Sequence, residues 1–553
     1  MSAALQPITP EDSQSEVRVG HAAIVRAALT RNIGRDAAAR FGYLLTRLLI
    51  PPFVLARIGL SAYSVWATIF IMISYVGVTT MGVSVVYVKY TAEFTARGET
   101  EKANALLSTG LFATAAVCAV LFGILTLELH QVLIWLRVPT QLFAEAQTAI
   151  MMVIGIFLCS MVFNVFSMAL YGSHKIAEAQ GVWVICYLTE MVLIFYLVGA
   201  GHGLLGLAEA FLVREALSIT LSAFVAFRML PWLRISPWRV SLDSFRKLTG
   251  YGAVVQLSAL LSIALNTIER VIAAPLIGLN AVGVMDLSDK WPNMSSMVTD
   301  AFAGSLLPAA SYLQGGRADK PLGDNRAVSQ LYLRGARYNH LAASSVCALL
   351  AVAAAPCLTV WLGPAYPASA YLMTIFAVQQ NFHHMTGPGT SILKGIGRPR
   401  EEFYYIVPNL LMAVTTIPVS RLVLGHWSAS GLGSAVVVAT VVSSIFFVAH
   451  ANRILEVSWR KYLRMVVAPG LLPYLISASL VIPVWKLVEH GTRWQGLAIM
   501  AAVGLAYALV LVVAIDRIVL DSDERHWFRS IIRNELSRVL GTLGFGESDE
   551  RIA

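Results

Sequence analysis

Runs of about 20 apolar residues recur from one end of this 553-residue chain to the other, and nothing else in the sequence limits the fold as strongly. Backbone polar groups cannot be left unpaired in hydrocarbon, so runs of this length must cross a bilayer as helices. Charged residues make up 13% of the chain, about half the roughly 25% usual in soluble domains, so a water-soluble fold would lack polar surface. The expected class is an all-α integral membrane protein with about 14 transmembrane helices. The spans read as 37–56, 62–85, 106–128, 148–170, 181–200, 204–227, 250–277, 281–310, 339–361, 370–392, 403–420, 430–449, 465–485 and 495–515.

Charge distribution orients these spans. With the N-terminus inside and the loops alternating, the inner loops and tails hold 31 of the 41 Lys and Arg residues. The outer loops hold five, and five more (Arg40, Arg47, Arg214, Arg270 and Lys290) lie within spans. A missed helix would invert this pattern downstream, so its constancy predicts an even number of spans with both termini cytoplasmic. The excess of nine positive charges is thus a topology signal, and no nucleic-acid partner is expected. The polar start, MSAALQPITPEDSQSEVRVG, has no apolar core of a signal peptide and reads as a disordered cytosolic tail. The tail RIVLDSDERHWFRSIIRNELSRVLGTLGFG spaces Trp527, Ile531, Leu536 and Leu540 helically, as an amphipathic helix on the inner leaflet or a plain tail helix would. The outer loops are short, the longest covering about 129–147, which leaves no outer domain for a soluble active site.

The chain also repeats itself. IGLSAYSVW (58–66) recurs as IGLNAVGVM (277–285), identical at five of nine positions with an offset of 219. The loops EFTARGETEKA (93–103) and YLQGGRADKPL (312–322) keep that offset. Six spans separate the copies, so both start from the same side: a parallel repeat about an axis along the membrane normal. The expected organisation is a cytosolic N-terminal tail (1–36), a six-helix lobe (37–228), a cytosolic linker (229–249), a second six-helix lobe (250–450), two further helices (451–517) and a cytosolic C-terminal tail (518–553).

Ionisable residues inside spans are costly and need a partner, a cavity or an interface. Counting from Arg57 as the outer end of the first span, Arg47 lies about 15 Å deep and Arg40 about 25 Å deep, near the inner headgroups. Arg40 can snorkel; Arg47 sits near the midplane, beside carbonyls that lose their normal helical partners at Pro51 and Pro52, where a kink is expected. Arg270 lies about 12 Å below the outer end at Gly278. Two readings stand: Arg47 and Arg270 face one cavity from opposite lobes and fork onto an anionic substrate, or Arg270 pairs with Glu269 or an acid of the eighth span. That span carries Asp286, Asp289, Lys290, Asn293 and Asp300 on one helical face about 21 Å long, with Pro292 placed to bend it. A stripe of this length suits a wet cavity, whose carboxylates could hold a coupling proton or cation or bind sugar hydroxyls. Arg214 is expected to pair with a nearby glutamate (Glu190, Glu209 or Glu215), and His383–His384 form a weaker candidate for proton binding.

Other motifs fail. GHGLLG (201–206) has the letters of a dinucleotide loop but joins two apolar spans with no preceding strand. No phosphate-binding P-loop, His-Glu-x-x-His or Gly-x-Ser-x-Gly pattern occurs. The five cysteines (Cys118, Cys159, Cys186, Cys347 and Cys357) lie in apolar segments without metal-ligand spacing and read as inert buried thiols.

The turns Arg57-Ile58-Gly59-Leu60-Ser61-Ala62-Tyr63 and Ile277-Gly278-Leu279-Asn280-Ala281-Val282-Gly283, the Glu269-Arg270 pair before the second and the Tyr87–Lys102 loop resemble the polysaccharide-exporter branch of the multidrug/oligosaccharidyl-lipid/polysaccharide (MOP) superfamily. Its members include O-antigen flippases and the lipid II flippase. The resemblance implies a bacterial inner-membrane flippase, not an enzyme. It would carry an undecaprenyl-diphosphate-linked oligosaccharide from the inner to the outer leaflet by alternating access of two lobes. With such a substrate, Arg47, Arg270 and Arg40 become the candidate diphosphate-binding residues; no cofactor beyond a coupling H+ or Na+ is expected, and membrane lipids and the glycan polymerase or glycosyltransferases of the pathway are the expected partners. Two alternatives remain at this point: a cation-coupled multidrug antiporter of the same superfamily, and an O-antigen ligase or polymerase, a class that needs a large outer loop.

Overall fold

The computed structural model describes residues 10–315, 325–363 and 366–526. Every described element is helical. In chain order they are α1 (Pro10–Ala96), α2 (Thr100–Trp135), α3 (Phe143–Phe163), α4 (Val165–Gly172), α5 (Ile176–Gly199), α6 (Gly203–Met229), α7 (Leu242–Leu276), α8 (Leu279–Asn293) and α9 (Ser295–Gly315). There follow α10 (Asn325–Val352), α11 (Ala354–Leu362), α12 (Pro367–His384), α13 (Gly387–Gly395), α14 (Phe403–Leu424), α15 (Ala429–Ile454), α16 (Trp459–Tyr462), α17 (Ala468–His490) and α18 (Arg493–Ala514).

All fourteen expected spans fall on these helices, and the chain is an all-α, multi-pass membrane protein. Among the described residues, nine helical segments are long and apolar enough to cross a membrane alone, and α10–α11, bent by 69°, make a tenth. Of the other expected spans, the seventh lies along α7. The first two spans both lie in α1, parted by the break at Gly59. The eighth is divided between α8 and α9 just after Pro292, and the tenth between α12 and α13 before Pro388. Large apolar side chains such as Leu127 and Leu422 stand about four-fifths exposed, as lipid-facing residues do.

Helix α1 departs from expectation twice. It is described from Pro10 onward, so residues 10–20, within the polar start expected to be disordered, are helical. Helical dihedrals run through Pro51 and Pro52, and the break falls at Gly59 (φ +75°, ψ 173°). The equivalent glycine of the second copy, Gly278, also has positive φ (+133°). Left-handed backbone is strained for residues with a Cβ, so glycine at both repeat turns is what permits them. The C-terminal segment 527–553, with the proposed amphipathic helix, lies outside the described residues.

The chain forms two compact units, Met1–Lys290 with Val414–Val436, and Trp291–Ala413 with Val437–Ala553. In the first unit, Val86, Leu106, Phe166, Leu170 and Leu248 share a core joining α1, α2, α4 and α7. The polar side of α2 straps the 230–241 linker: Asn104 donates to the Trp232 carbonyl (2.8 Å) and accepts from the Arg234 N–H (2.8 Å), and Thr109 accepts from the Ser241 N–H (3.0 Å). In the second unit, Leu350, Ala354, Leu358 and Met373 pack α10, α11 and α12 together. Arg493 ties the start of α18 to the end of α11 through the carbonyls of Val360 (2.8 Å) and Trp361 (2.6 Å). All five cysteines are free, and Cys159 is exposed where the sequence suggested burial, because it faces outward from α3.

Candidate functional site

The strongest concentration of charge in the first unit lies where the two repeat copies meet. A Cβ on Gly283 would stand 2.2 Å from the Ser64 hydroxyl, and these two residues occupy the same position in their respective copies. The approach of α1 to α8 therefore depends on glycine in one copy facing a small residue in the other. One turn further along α8, the Tyr63 hydroxyl donates to Asp286 Oδ2 at 2.6 Å. Tyr75 and Thr267 bond at 2.9 Å and join α1 to α7.

Arg270, near the end of α7, sits among three carboxylates. Its guanidinium lies 3.3 Å from Glu269, 3.6 Å from Asp286 and 3.3 Å from Asp289. It also donates to the Asn266 carbonyl at 2.7 Å. Lys290 approaches Asp286 from one turn along α8 at 2.8 Å. The spacing of residues 286, 289 and 290 puts all three on one helical face, so α8 offers two acids to Arg270 and one of them to Lys290. Two cations thus face three carboxylates, one negative charge in excess when all are ionised. The Arg270 side chain is 13% exposed. Its Nε–H and Glu269 Oε2 make no hydrogen bond among the described residues, so the cluster is paired in charge but not filled in hydrogen bonds.

The other residues expected at the site fall as follows. Arg40 and Arg47 lie along α1 and Asp300 along α9, but their side chains are outside the described residues. Asn293 ends α8, exposed, with its Oδ1 3.4 Å from the Ser296 hydroxyl. Tyr63 was missed as a member of the cluster: its counterpart in the second copy is Val282, and the repeat register does not point it at Asp286.

Two further polar groups lie within the helices. In the first unit, Arg214 on α6 contacts Glu215 and lies 3.5 Å from Glu190 on α5. Its guanidinium also covers the rings of Phe211 (4.3 Å) and Tyr187 (4.7 Å). Glu209 instead bonds His202 at 2.9 Å. In the second unit, both ring nitrogens of His384 meet hydroxyls, Ser295 at 2.8 Å and Thr299 at 3.0 Å, while His383 meets the Tyr405 hydroxyl at 2.7 Å. A network with its positions this well filled cross-links α9, α12 and α14.

No protein-family model matches the chain. Over 330 residues it is 23% identical to the uncharacterized membrane protein EpsK of Bacillus subtilis (strain 168), a match that covers 59% of this chain and 64% of that one. The chain therefore spans less than two thirds of that relative's length. Among solved structures, an inward-facing multidrug resistance MATE family transporter of the MOP superfamily superposes with a TM-score of 0.63 at 15% identity, covering 76% of this chain and 94% of that one. The lipid II flippase MurJ, in an inward closed conformation, superposes with a TM-score of 0.63 at 12% identity, covering 88% of this chain and 99% of that one. The fold of this chain is the one these MOP-superfamily transporters share.

Proposed function

We propose that this protein is a flippase that moves an undecaprenyl-diphosphate-linked oligosaccharide from the inner to the outer leaflet of the bacterial inner membrane by alternating access, with both termini cytoplasmic. The observation that carries the reading is the extent of the structural likeness. A flippase chain is matched almost end to end by 88% of this chain, whereas the multidrug transporter is matched by 76% of it. A layout of fourteen spans, two beyond a pair of six-helix lobes, supports the same choice.

In this reading the diphosphate is met by Arg47 and Arg270, with Arg40 at the level of the inner headgroups. Guanidinium suits the task because it stays charged and presents paired donors to phosphate oxygens. Arg270 already holds three carboxylates, so it meets a phosphate by giving up a carboxylate. Binding one H+ or Na+ at the carboxylates would bring the cluster to neutrality and loosen that hold. This is how a coupling ion and an anionic substrate would share one site, with Asp286, Asp289, Lys290, Asn293 and Asp300 along the stripe. The excess negative charge is also what a cation-coupled antiporter would use, and it favours that as the second reading.

Photo-crosslinking separates the two. A diazirine-bearing polyprenyl-diphosphate oligosaccharide should label the purified protein, with the label displaced by unlabelled polyprenyl diphosphate and untouched by organic cations such as ethidium. Displacement by the organic cation alone would favour the antiporter.

A further inference from the structure

Away from the Arg270 cluster, the first unit holds a cavity of about 330 Å³ between α1, α3, α4 and α6. Its polar lining includes Ser84, Ser160, Asn164, Ser167, Ser218 and Ser222, with Glu215 at its edge. Spacings of 160, 164 and 167 on one stretch and 215, 218 and 222 on another place each set on a single helical face. Ser167 donates to Ser222 at 3.0 Å and joins the two faces, while Asn164 donates to Ser84 of α1 at 3.1 Å. Phe157 and Phe163 supply the apolar part of the wall.

We propose that this cavity is a saccharide subsite, which binds hydroxyl groups of the glycan headgroup; the inference rests on the flippase reading above. Each serine hydroxyl carries one donor and two acceptor sites, so a surface of several of them can match sugar hydroxyls in either sense. The Glu215 carboxylate has a fixed direction, because Arg214 holds it from behind while Glu190, Phe211 and Tyr187 hold Arg214. A carboxylate so anchored accepts hydrogen bonds from neutral hydroxyls and repels phosphate. No Lys or Arg is among the described lining residues, so the diphosphate is not the group that belongs here. An isoprenoid tail fits poorly too, since it would cover several hydroxyls with hydrocarbon and leave them unpaired. The volume falls at the small end of ligand pockets, suited to one or two sugar units.

The test compares two probes on the full chain in nanodiscs: a polyprenyl diphosphate bearing a trisaccharide, and bare polyprenyl diphosphate. In the wild type the glycosylated probe should bind more tightly. The paired change Ser167→Ala with Ser222→Ala, and separately Asn164→Leu, should reduce that preference about tenfold while leaving the bare lipid unaffected. Should either variant fail to fold, alkylation of a Cys159→Ala, Ser160→Cys protein, read at that peptide by mass spectrometry, replaces it. The glycosylated probe should slow the reaction severalfold, and bare lipid or NaCl should not. Equal binding of both probes by the wild type overturns the subsite and leaves the flippase reading standing. Binding of neither overturns both. Protection by NaCl in place of the glycan overturns the proposal in favour of a cation site.

Discussion

At the scale of the residue, Arg270 organises the charge of α7 and α8. Its three carboxylates and the Lys290–Asp286 pair form a single unit, and removing one cation leaves the acids uncompensated away from water. Arg270→Ala should cost about 3–5 kcal/mol, read as a lower unfolding temperature in detergent. Adding Glu269→Gln and Asp289→Asn, which removes two of the three negative charges, should return much of that loss. If the triple variant unfolds no later than Arg270→Ala, charge is not what holds the cluster. The sequence carried most of this arrangement, because buried acids and bases at helical spacing in apolar spans have few ways to be satisfied. Tyr63 and the serines of the α1–α3–α4–α6 cavity were not legible in the same way. A few hydroxyls barely alter the hydropathy of a span, and only the fold brings residues 84, 164 and 222 together.

At the scale of the element, the repeat explains how α1 and α8 approach. Gly283→Ala places a methyl against Ser64, which is fully buried, and should cost about 1–3 kcal/mol as overpacking. Ser64→Gly introduced beside it should restore most of the unfolding temperature, and a double variant as unstable as the single one would refute the contact. The repeat was visible as five identities in nine residues, yet nothing in the sequence said that its copies would pack on each other. A second link belongs to the other unit. Just beyond α18, Glu524 accepts from the Tyr338 hydroxyl (2.5 Å) and lies 3.2 Å from Arg337, both on α10. Burial alone would raise its carboxyl, but the Tyr338 hydroxyl, the Asp521 N–H and the Arg337 guanidinium outweigh burial and hold it below the usual carboxylate range. A carboxyl depressed by folding stabilises above its unfolded pKa of about 4.3 and loses that contribution as pH falls through the folded value. Proteolysis next to Glu524 should therefore be slow at neutral pH and accelerate on acidification below about pH 4. Glu524→Gln should show the fast cleavage already at neutral pH, and equal rates for both proteins would contradict the link.

At the scale of the whole molecule, the fold was legible because bilayer physics leaves so few choices: every span expected from hydropathy lies on a helix. What hydropathy could not foresee were the interruptions at Gly59, after Pro292 and before Pro388, where backbone geometry rather than apolar content decides. The central claim, that this fold carries a lipid-linked glycan outward, is tested most directly by translocation itself. Purified protein is reconstituted into liposomes whose inner leaflet holds a fluorescent polyprenyl-diphosphate oligosaccharide, and the glycan reaching the outer leaflet is counted by an added lectin or membrane-impermeant quencher. The account predicts outer-leaflet exposure that rises with time above protein-free liposomes and falls at least tenfold with Arg47→Ala or Arg270→Ala in protein that remains folded. No exposure above protein-free liposomes for any lipid-linked glycan, with gradient-driven efflux of an organic cation from the same liposomes, would contradict it.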